Sequence, residues 1–389
     1  MSTIPPWAEE VFASFDDDEP HEEAACARHD QYRGNGAARL IQSSGEFVAG
    51  FVPPAYLIDG LLNRQFLYAL TGPTGHGKTA VMLRIAVHVA LGLPLDNRQV
   101  EKCRVLFFAG ENPDDIRMRW IKLCEELGRN PDDVDVCFMP GTPPISTPEI
   151  RARIDAEAAE RGPFGLLIVD TSAAYFTGDD ENNNAQLGAH ARMLRTFVKL
   201  PGGPTVIATC HPVKNFSIDN LLPRGGGAFL NELDGNLVCF REDSSVTLTW
   251  HGKLRGVDFA PLLFKLSART TEKLRDSKGR SIWTVIATPI SEFEKARLDE
   301  TSRNRQDALV ALLRTDTTLS LSQMAEKLGW LHANGTTNKQ LAHRILKQLI
   351  ERGLVKKDSG GIFITKAGQA KTKTAKAKPG KKKDTPNAK

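Results

Sequence analysis

The chain has 389 residues, 41% hydrophobic and 25% charged, with a formal net charge of +4. That balance fits a globular protein with one large core and a smaller second domain, and it excludes a wholly disordered or collagen-like chain. No apolar run approaches the roughly 20 residues needed to span a bilayer, and Met1–Phe15 has early acids but no apolar stretch of signal-peptide type, so a cytoplasmic protein without membrane association is expected.

Asp16, Asp17, Asp18, Glu19, Glu22 and Glu23 make the first segment acidic. Residues 1–50 lack sustained periodicity and read as flexible, with a short helix predicted at Ala8–Phe15. From 51 to 268 short β-rich runs alternate with helical stretches. Strands are predicted at Phe66–Thr71, Arg104–Phe108, Val136–Met139, Gly165–Asp170 and Thr205–Cys210, and helices at Lys78–Leu91, Asp114–Leu127, Pro148–Arg161 and Asn184–Leu200. Strands apolar on both faces and separated by helices predict an α/β domain, its mainly parallel sheet flanked by helices. After Cys210 the connections shorten, and Asn236–Phe240, Val246–Trp250 and Leu262–Leu266 read as antiparallel additions at one edge. Residues 269–304 read as a charged linker holding one strand-like run, Trp283–Thr288. Residues 305–366 form a compact helical unit, and 367–389 a disordered Lys-rich tail. After Thr365 there are nine lysines against one acid, Asp384, a composition suited to an arm for nucleic acid.

The six cysteines (26, 103, 124, 137, 210 and 239) include no C-x-x-C pair and no zinc-ligand spacing. Buried free thiols in a reducing compartment are the expectation.

Gly72-Pro73-Thr74-Gly75-His76-Gly77-Lys78-Thr79 fits G-x-x-x-x-G-K-[ST] without a mismatch, between a buried strand and a helix that continues with Ala80. The glycines let several backbone N–H groups converge on one spot, and the helix N-terminus adds its positive dipole end. Residues 72–80 therefore predict a site for ATP, or another nucleoside triphosphate, with Lys78 reaching the β- and γ-phosphates and the Thr79 hydroxyl on Mg²⁺. Leu166-Leu167-Ile168-Val169-Asp170 supplies the second metal anchor, Asp170, at the sheet edge where ligands gather. Thr171, not Glu, follows it, so the water-activating base has to come from elsewhere. Glu111, just past the strand 105–109, is the candidate, because a carboxylate there can orient water opposite the γ-phosphate. Asp114 and Asp115 are accounted for by helix capping.

His211 ends the strand 205–210, as a contact to the γ-phosphate or a solvent-facing strand end. The loop Pro212–Gly227 that follows is glycine-rich and cationic through Lys214 and Arg224, which suits a phosphate backbone. Lys253 and Arg255, two residues apart on a strand-like run, share one face. They read either as solvated surface cations or as a finger completing a neighbouring subunit's site, an effect of roughly 10³–10⁵ in rate.

In this order the pieces resemble the RecA-like ATPase core of hexameric replicative helicases, of the DnaB and plasmid RepA types, over about residues 55–268. The matching elements are the P-loop, Gly110-Glu111-Asn112, Ile168-Val169-Asp170-Thr171, His211, Arg224-Gly225-Gly226-Gly227-Ala228 with acids at 232–234, and Lys253-Leu254-Arg255. Gly256 falls one residue earlier than the family's K-x-R-x-G. The resemblance implies a RecA-like P-loop NTPase fold and a homo-oligomeric ring, a hexamer, with Lys253 and Arg255 acting in trans. It also implies loops at 174–184 and 212–227 that grip single-stranded DNA. DnaB-type proteins carry an N-terminal collar that nothing in residues 1–50 matches, whereas RepA-type rings lack one. Related ATPases share this core, so a nucleotide-switched DNA-binding regulator and a remodelling ATPase that unwinds nothing stand as alternatives.

In the C-terminal unit, helices are predicted at Arg305–Arg314, Ser320–Leu328 and Thr337–Arg352, followed by a hairpin at 354–365. Three helices and a β-wing resemble a winged-helix domain. Asn338, Lys339, Gln340, His343, Arg344 and Lys347 lie on the polar side of the third helix, where they suit duplex DNA, although many winged helices bind protein instead.

Overall fold

The computed structural model describes residues 41–371 except 54, 182, 243–244, 332–334 and 359–360. The helix expected at Ala8–Phe15, the acidic cluster, Cys26 and the lysines beyond 371 lie outside the described residues. A short helix α1 (Ser44–Val48), closed by a Ser43–Glu46 capping box, and a small hairpin of β1 (Tyr56–Ile58) and β2 (Leu62–Asn63) precede the main sheet. Then follow β3 (Leu67–Thr71), α2 (Lys78–Leu91), β4 (Arg104–Ala109), α3 (Pro113–Glu126), β5 (Val136–Pro140), α4 (Pro148–Arg161) and β6 (Phe164–Asp170). After these come α5 (Asn184–Arg195), β7 (Thr205–Cys210), α6 (Gly226–Glu232), β8 (Gly235–Glu242), β9 (Ser245–Leu254), β10 (Leu262–Arg269) and β11 (Thr284–Pro289).

One nine-stranded sheet has the order β11-β10-β9-β8-β3-β7-β6-β4-β5. The pairs β3–β7, β6–β7, β4–β6 and β4–β5 are all parallel, so successive strands return through helices that cover the sheet. Burial on both faces follows: β3, β6 and β7 are buried along their whole lengths. The fold is therefore mixed α/β with a large, mostly parallel central sheet flanked by helices.

Three expectations need correction. The run 236–240, read as an antiparallel addition, belongs to β8, which pairs parallel to β3 from Tyr68↔Gly235 to Thr71↔Val238. Segment 269–304 is no simple linker, since it holds β11, the outermost strand of the sheet, and the opening of a long helix at Glu292. The helix predicted at 184–200 is α-helical only to Arg195 and tightens to a 3₁₀ turn over Thr196–Lys199. Alternation alone gives a strand's burial but not its partner or direction, which explains the first two misses.

Among the described residues two compact units are separable. The first runs to Phe240 and takes in Leu248–Pro261 and Ser267–Ala287; the second comprises Arg241–Thr247, Leu262–Leu266 and the chain from Thr288. The second contains α7 (Glu292–Thr315), α8 (Leu321–Lys327), α9 (Lys339–Glu351), the antiparallel hairpin β12 (Val355–Asp358) and β13 (Gly361–Ile364), and α10 (Lys366–Lys371). Ser291 and Ser320 close capping boxes on α7 and α8. Helix α9 buries Ala342, Ile345, Leu346 and Leu349, a stripe at helical spacing that packs with Leu309, Leu313, Met324 and Val355. Helix α10 occupies the start of the segment expected to be a disordered tail.

The core of the first unit is aromatic at its centre: Phe108 meets Tyr175 at 5.7 Å and Phe197 edge-on at 5.6 Å between ring centroids. A buried histidine is set into the same cluster. His190 packs edge-on to Phe176, and its Nε2 lies 3.0 Å from Ser172 Oγ. Burial pushes the imidazole down to about 4 from an ordinary 6.5, so the folded chain resists a proton that the unfolded chain accepts. Its contribution to stability is thus full above pH 6.5, declines as pH falls, and is exhausted near pH 4. The difference amounts to about 3 kcal/mol over that window. His190→Phe is expected to remove this part of the pH slope of the urea midpoint between pH 7 and 4.5, and an unchanged slope would count against it.

Candidate active site

The P-loop leaves β3 at its C-terminal end and wraps to the start of α2. Gly77, at φ 93°, caps α2 in the left-handed region that a side chain resists. Gly72 passes so close to the Cys239 carbonyl that a Cβ would collide with it. The first bond of the helix joins Val81 N–H to Gly77 O at 2.9 Å, which leaves the amides of Lys78, Thr79 and Ala80 to face the loop's concavity. Lys78 Nζ donates to Gly72 O at 2.7 Å and Pro73 O at 3.2 Å, and burial lowers its pKa. His76 stacks obliquely on Phe240, with ring centroids 4.8 Å apart, while Thr74 Oγ1 lies 3.4 Å from His211 Nδ1.

Asp170 ends β6 between the ends of β4 and β7. Its residue is 1% exposed, its Oδ1 accepts from Thr209 Oγ1 at 2.6 Å, and it also bonds the Thr79 side chain. Burial raises its pKa, against the stabilising effect of those two hydroxyls. A carboxylate and a hydroxyl meeting at a phosphate loop fit Mg²⁺, which takes one or two protein oxygens and fills its remaining positions with phosphate and water. Among the described residues no cluster of three or more His, Cys, Asp or Glu could hold a metal by itself.

Glu111 is brought to the same edge. Ala109 is the register partner of Asp170, and the amides of Gly110 and Glu111 donate to Asp170 O at 2.8 and 3.3 Å. The Glu111 side chain is exposed there. Asp114 and Asp115 instead pair with Arg117 and Arg119, each at 2.6 Å along α3. His211 is half-buried, and burial, with the charges of Lys78 and Arg224, lowers its pKa, which favours the neutral imidazole. The structure thus gathers residues 72–80, Glu111, Asp170 and His211 at one end of the sheet.

Of the remaining predicted residues, Arg224 borders His211. The loop after β7 is pinched shut by Val213 N–H to Leu222 O at 3.1 Å and Arg224 N–H to His211 O at 2.9 Å. Lys214 is exposed just past this pinch, whereas the Arg224 guanidinium is paired with Glu181 of the 176–183 loop. Glu181, His211 and Arg224 line one cavity with Ser172, Phe176 and Cys210. Lys253 and Arg255 are at the opposite end of the sheet from the P-loop. Arg255 N–H donates to Asp234 O, and Asp234 N–H to the carbonyl of Leu67, the first residue of β3, both at 2.7 Å. In the second unit Lys339, Gln340, His343, Arg344 and Lys347 are exposed on α9, and Lys347 pairs with Glu351 at 3.6 Å. Asn338 does not join them as a free polar group, because its Oδ1 caps α9 by accepting from Leu341 N–H at 2.9 Å.

Sequence reasoning missed Thr209, Glu181 and Asp234, and also Asn236, a fully buried amide that accepts from Thr71 Oγ1 at 2.6 Å and donates to Leu221 O and His251 O. A polar residue inside an otherwise apolar strand was the available signal for Thr209 and Asn236. The described cysteines are free, and burial pushes the Cys210 and Cys239 thiols up to about 12, so they act as core.

Residues 38–216 match a family model described as an AAA domain, and that match supports a P-loop ATPase domain over this segment. No curated protein matches the chain. No helix among the described residues is long and apolar enough to cross a membrane. Lys78→Ala is expected to raise the Kd for Mg²⁺-ATP about 10- to 100-fold, the worth of charge-assisted hydrogen bonds to phosphate. Titration calorimetry checks this, and unaltered affinity would place the phosphates away from residues 72–80.

Proposed function

We propose that the chain is an ATP-hydrolysing DNA motor that works as a ring of identical subunits, a replicative helicase of plasmid or phage type acting on single-stranded DNA. The observation that carries this reading is the separation of the cations: Lys78 is at the P-loop, while Lys253 and Arg255 are anchored at the far end of β3. Phosphoryl transfer needs charge neutralisation at the γ-phosphate. Cations held at the far end of the sheet suit the site of a second copy, and head-to-tail pairing of such half-sites closes into a ring.

In this reading Lys78 releases its loop carbonyls and takes the β- and γ-phosphates, while the 72–80 amides cradle them. Thr79 and Asp170 would hold Mg²⁺, which would supply positive charge beside the phosphates. Glu111, exposed one strand from Asp170, orients the attacking water. His211 senses the γ-phosphate beside Thr74 and passes its loss through Arg224 to the 212–225 loop, since its carbonyl accepts from the Arg224 amide. Lys214 and Arg224 contact single-stranded DNA, the latter after exchanging Glu181 for a phosphate. Residues 305–366 form a winged-helix domain whose Lys339, Arg344 and Lys347 meet duplex DNA, and the lysine tail adds salt-sensitive affinity.

Glu111→Gln is expected to leave ATP binding intact and to slow hydrolysis about 10²- to 10⁴-fold, read from steady-state phosphate release; hydrolysis at the wild-type rate would remove Glu111 from the role of base. The motor itself is tested by electron microscopy with a non-hydrolysable ATP analogue and single-stranded DNA, alongside unwinding of a forked duplex. Closed rings threaded by DNA, with unwinding, are expected. ATP hydrolysis without unwinding would overturn the helicase reading, and dimers on duplex DNA would favour a nucleotide-switched regulator.

A further inference from the structure

The two cations assigned above to a neighbour's site are not loose on the surface of their own subunit. Asp234 sits just before β8 with its side chain 4% exposed, and its two oxygens are used differently. Oδ2 accepts from Leu67 N–H at 2.9 Å and from Arg195 Nη1 at 3.0 Å. Arg195 also donates to Glu232 O through Nε at 3.0 Å. The two bonds to Oδ2 satisfy one oxygen of the buried carboxylate and fix it to the sheet. Oδ1 accepts from Arg255 Nη1 at 2.9 Å, and the carbonyl of the same Asp234 accepts the Arg255 amide at 2.7 Å. One rigid residue thus holds both the backbone and the guanidinium of Arg255, while the Arg255 side chain stays 63% exposed. A guanidinium carries five N–H donors in a planar fork, so a bond along one edge leaves the other edge directed outward. Lys253 is seated next to it, donating from Nζ to Asn231 O at 2.7 Å and Leu230 O at 3.3 Å, carbonyls in the last turn of α6.

We propose that Asp234 is the positioning residue for the trans-acting arginine: it presents Arg255 in a fixed orientation to the triphosphate bound by the adjoining subunit, with Arg195 balancing its charge from the other side. This rests on the reading that Arg255 acts in trans. An exposed arginine without such an anchor would spread over many rotamers and meet the transition state in a small fraction of them. Preorganisation of this kind acts on turnover and not on the subunit's own nucleotide affinity.

The test is a double-mutant cycle on the full chain, read as kcat and KM for ATP with single-stranded DNA present, together with thermal melting. Arg255→Ala alone should lower kcat about 10³-fold or more; if it does not, the trans reading fails and Asp234 has nothing to position. Given that loss, Asp234→Asn should lower kcat about 10- to 100-fold with KM changed less than about twofold. In the Arg255→Ala background Asp234→Asn should cost nothing further. A wild-type kcat for Asp234→Asn, or the same fall with and without Arg255, would overturn the proposal while leaving the trans reading intact. Should melting show that Asp234→Asn does not fold, Asp234→Glu, which keeps the charge and shifts it by one methylene, takes its place in the same cycle with the same outcomes.

Discussion

A carboxylate with almost no access to water has to be held by its surroundings, and Asp170 is where this fold meets that demand. Hydroxyls from two different elements, Thr79 on α2 and Thr209 on β7, point at its side chain. Its backbone carbonyl takes the amides that follow β4. Three strands and the P-loop helix are thereby locked around one charge, the strands ending and the helix beginning at that point. The parallel arrangement makes this possible, because strands that run the same way bring all their C-terminal ends to one edge. The same arrangement forces both faces of the sheet to be covered, and accounts for strands buried from end to end.

Glu111 gains from this lock indirectly. The hydrogen bonds that hold it go from its own amide and that of Gly110 to the Asp170 carbonyl, so its backbone is fixed while its side chain remains exposed. Gly110 has to be glycine for that approach, since a Cβ would run into the Tyr175 ring. In the proposed reading, binding and chemistry fall on adjacent strands, the buried acid on the metal side and the exposed acid on the water side. His211, on the opposite flank, is tied to the P-loop through Thr74 and to the next loop through the Arg224 amide.

Much of this was legible in the sequence because it is local. The P-loop spacing, the helix Lys78–Leu91, the helix Pro148–Arg161 and the strand Thr205–Cys210 are set by residues within a few positions of one another, and the observed bounds match those read from composition and capping. What escaped depends on pairing between distant segments. That β8 runs parallel to β3, that β11 joins the sheet, and that Glu181 sits on Arg224, 43 residues away, are matters of pairing that no period records. Asp234 is the clearest instance. Among acids at 232–234 it looks like surface charge, and only the register of β3 beside β8 makes it a buried junction for two arginines.

Strand β3 begins at the carboxylate that holds Arg255 and ends at the loop that takes the phosphates. Its five residues span about 13 Å at the rise of a β-strand. In the proposed ring of identical subunits it would act as a ruler, because the distance between a subunit's own phosphate loop and the cation proposed to serve a neighbour is set by the count of residues in this one strand. Side chains along β3 are free to vary within the volume of the core. Its length is not, since adding or removing a residue would put both half-sites out of step around the whole ring and turn every inward side chain to the opposite face.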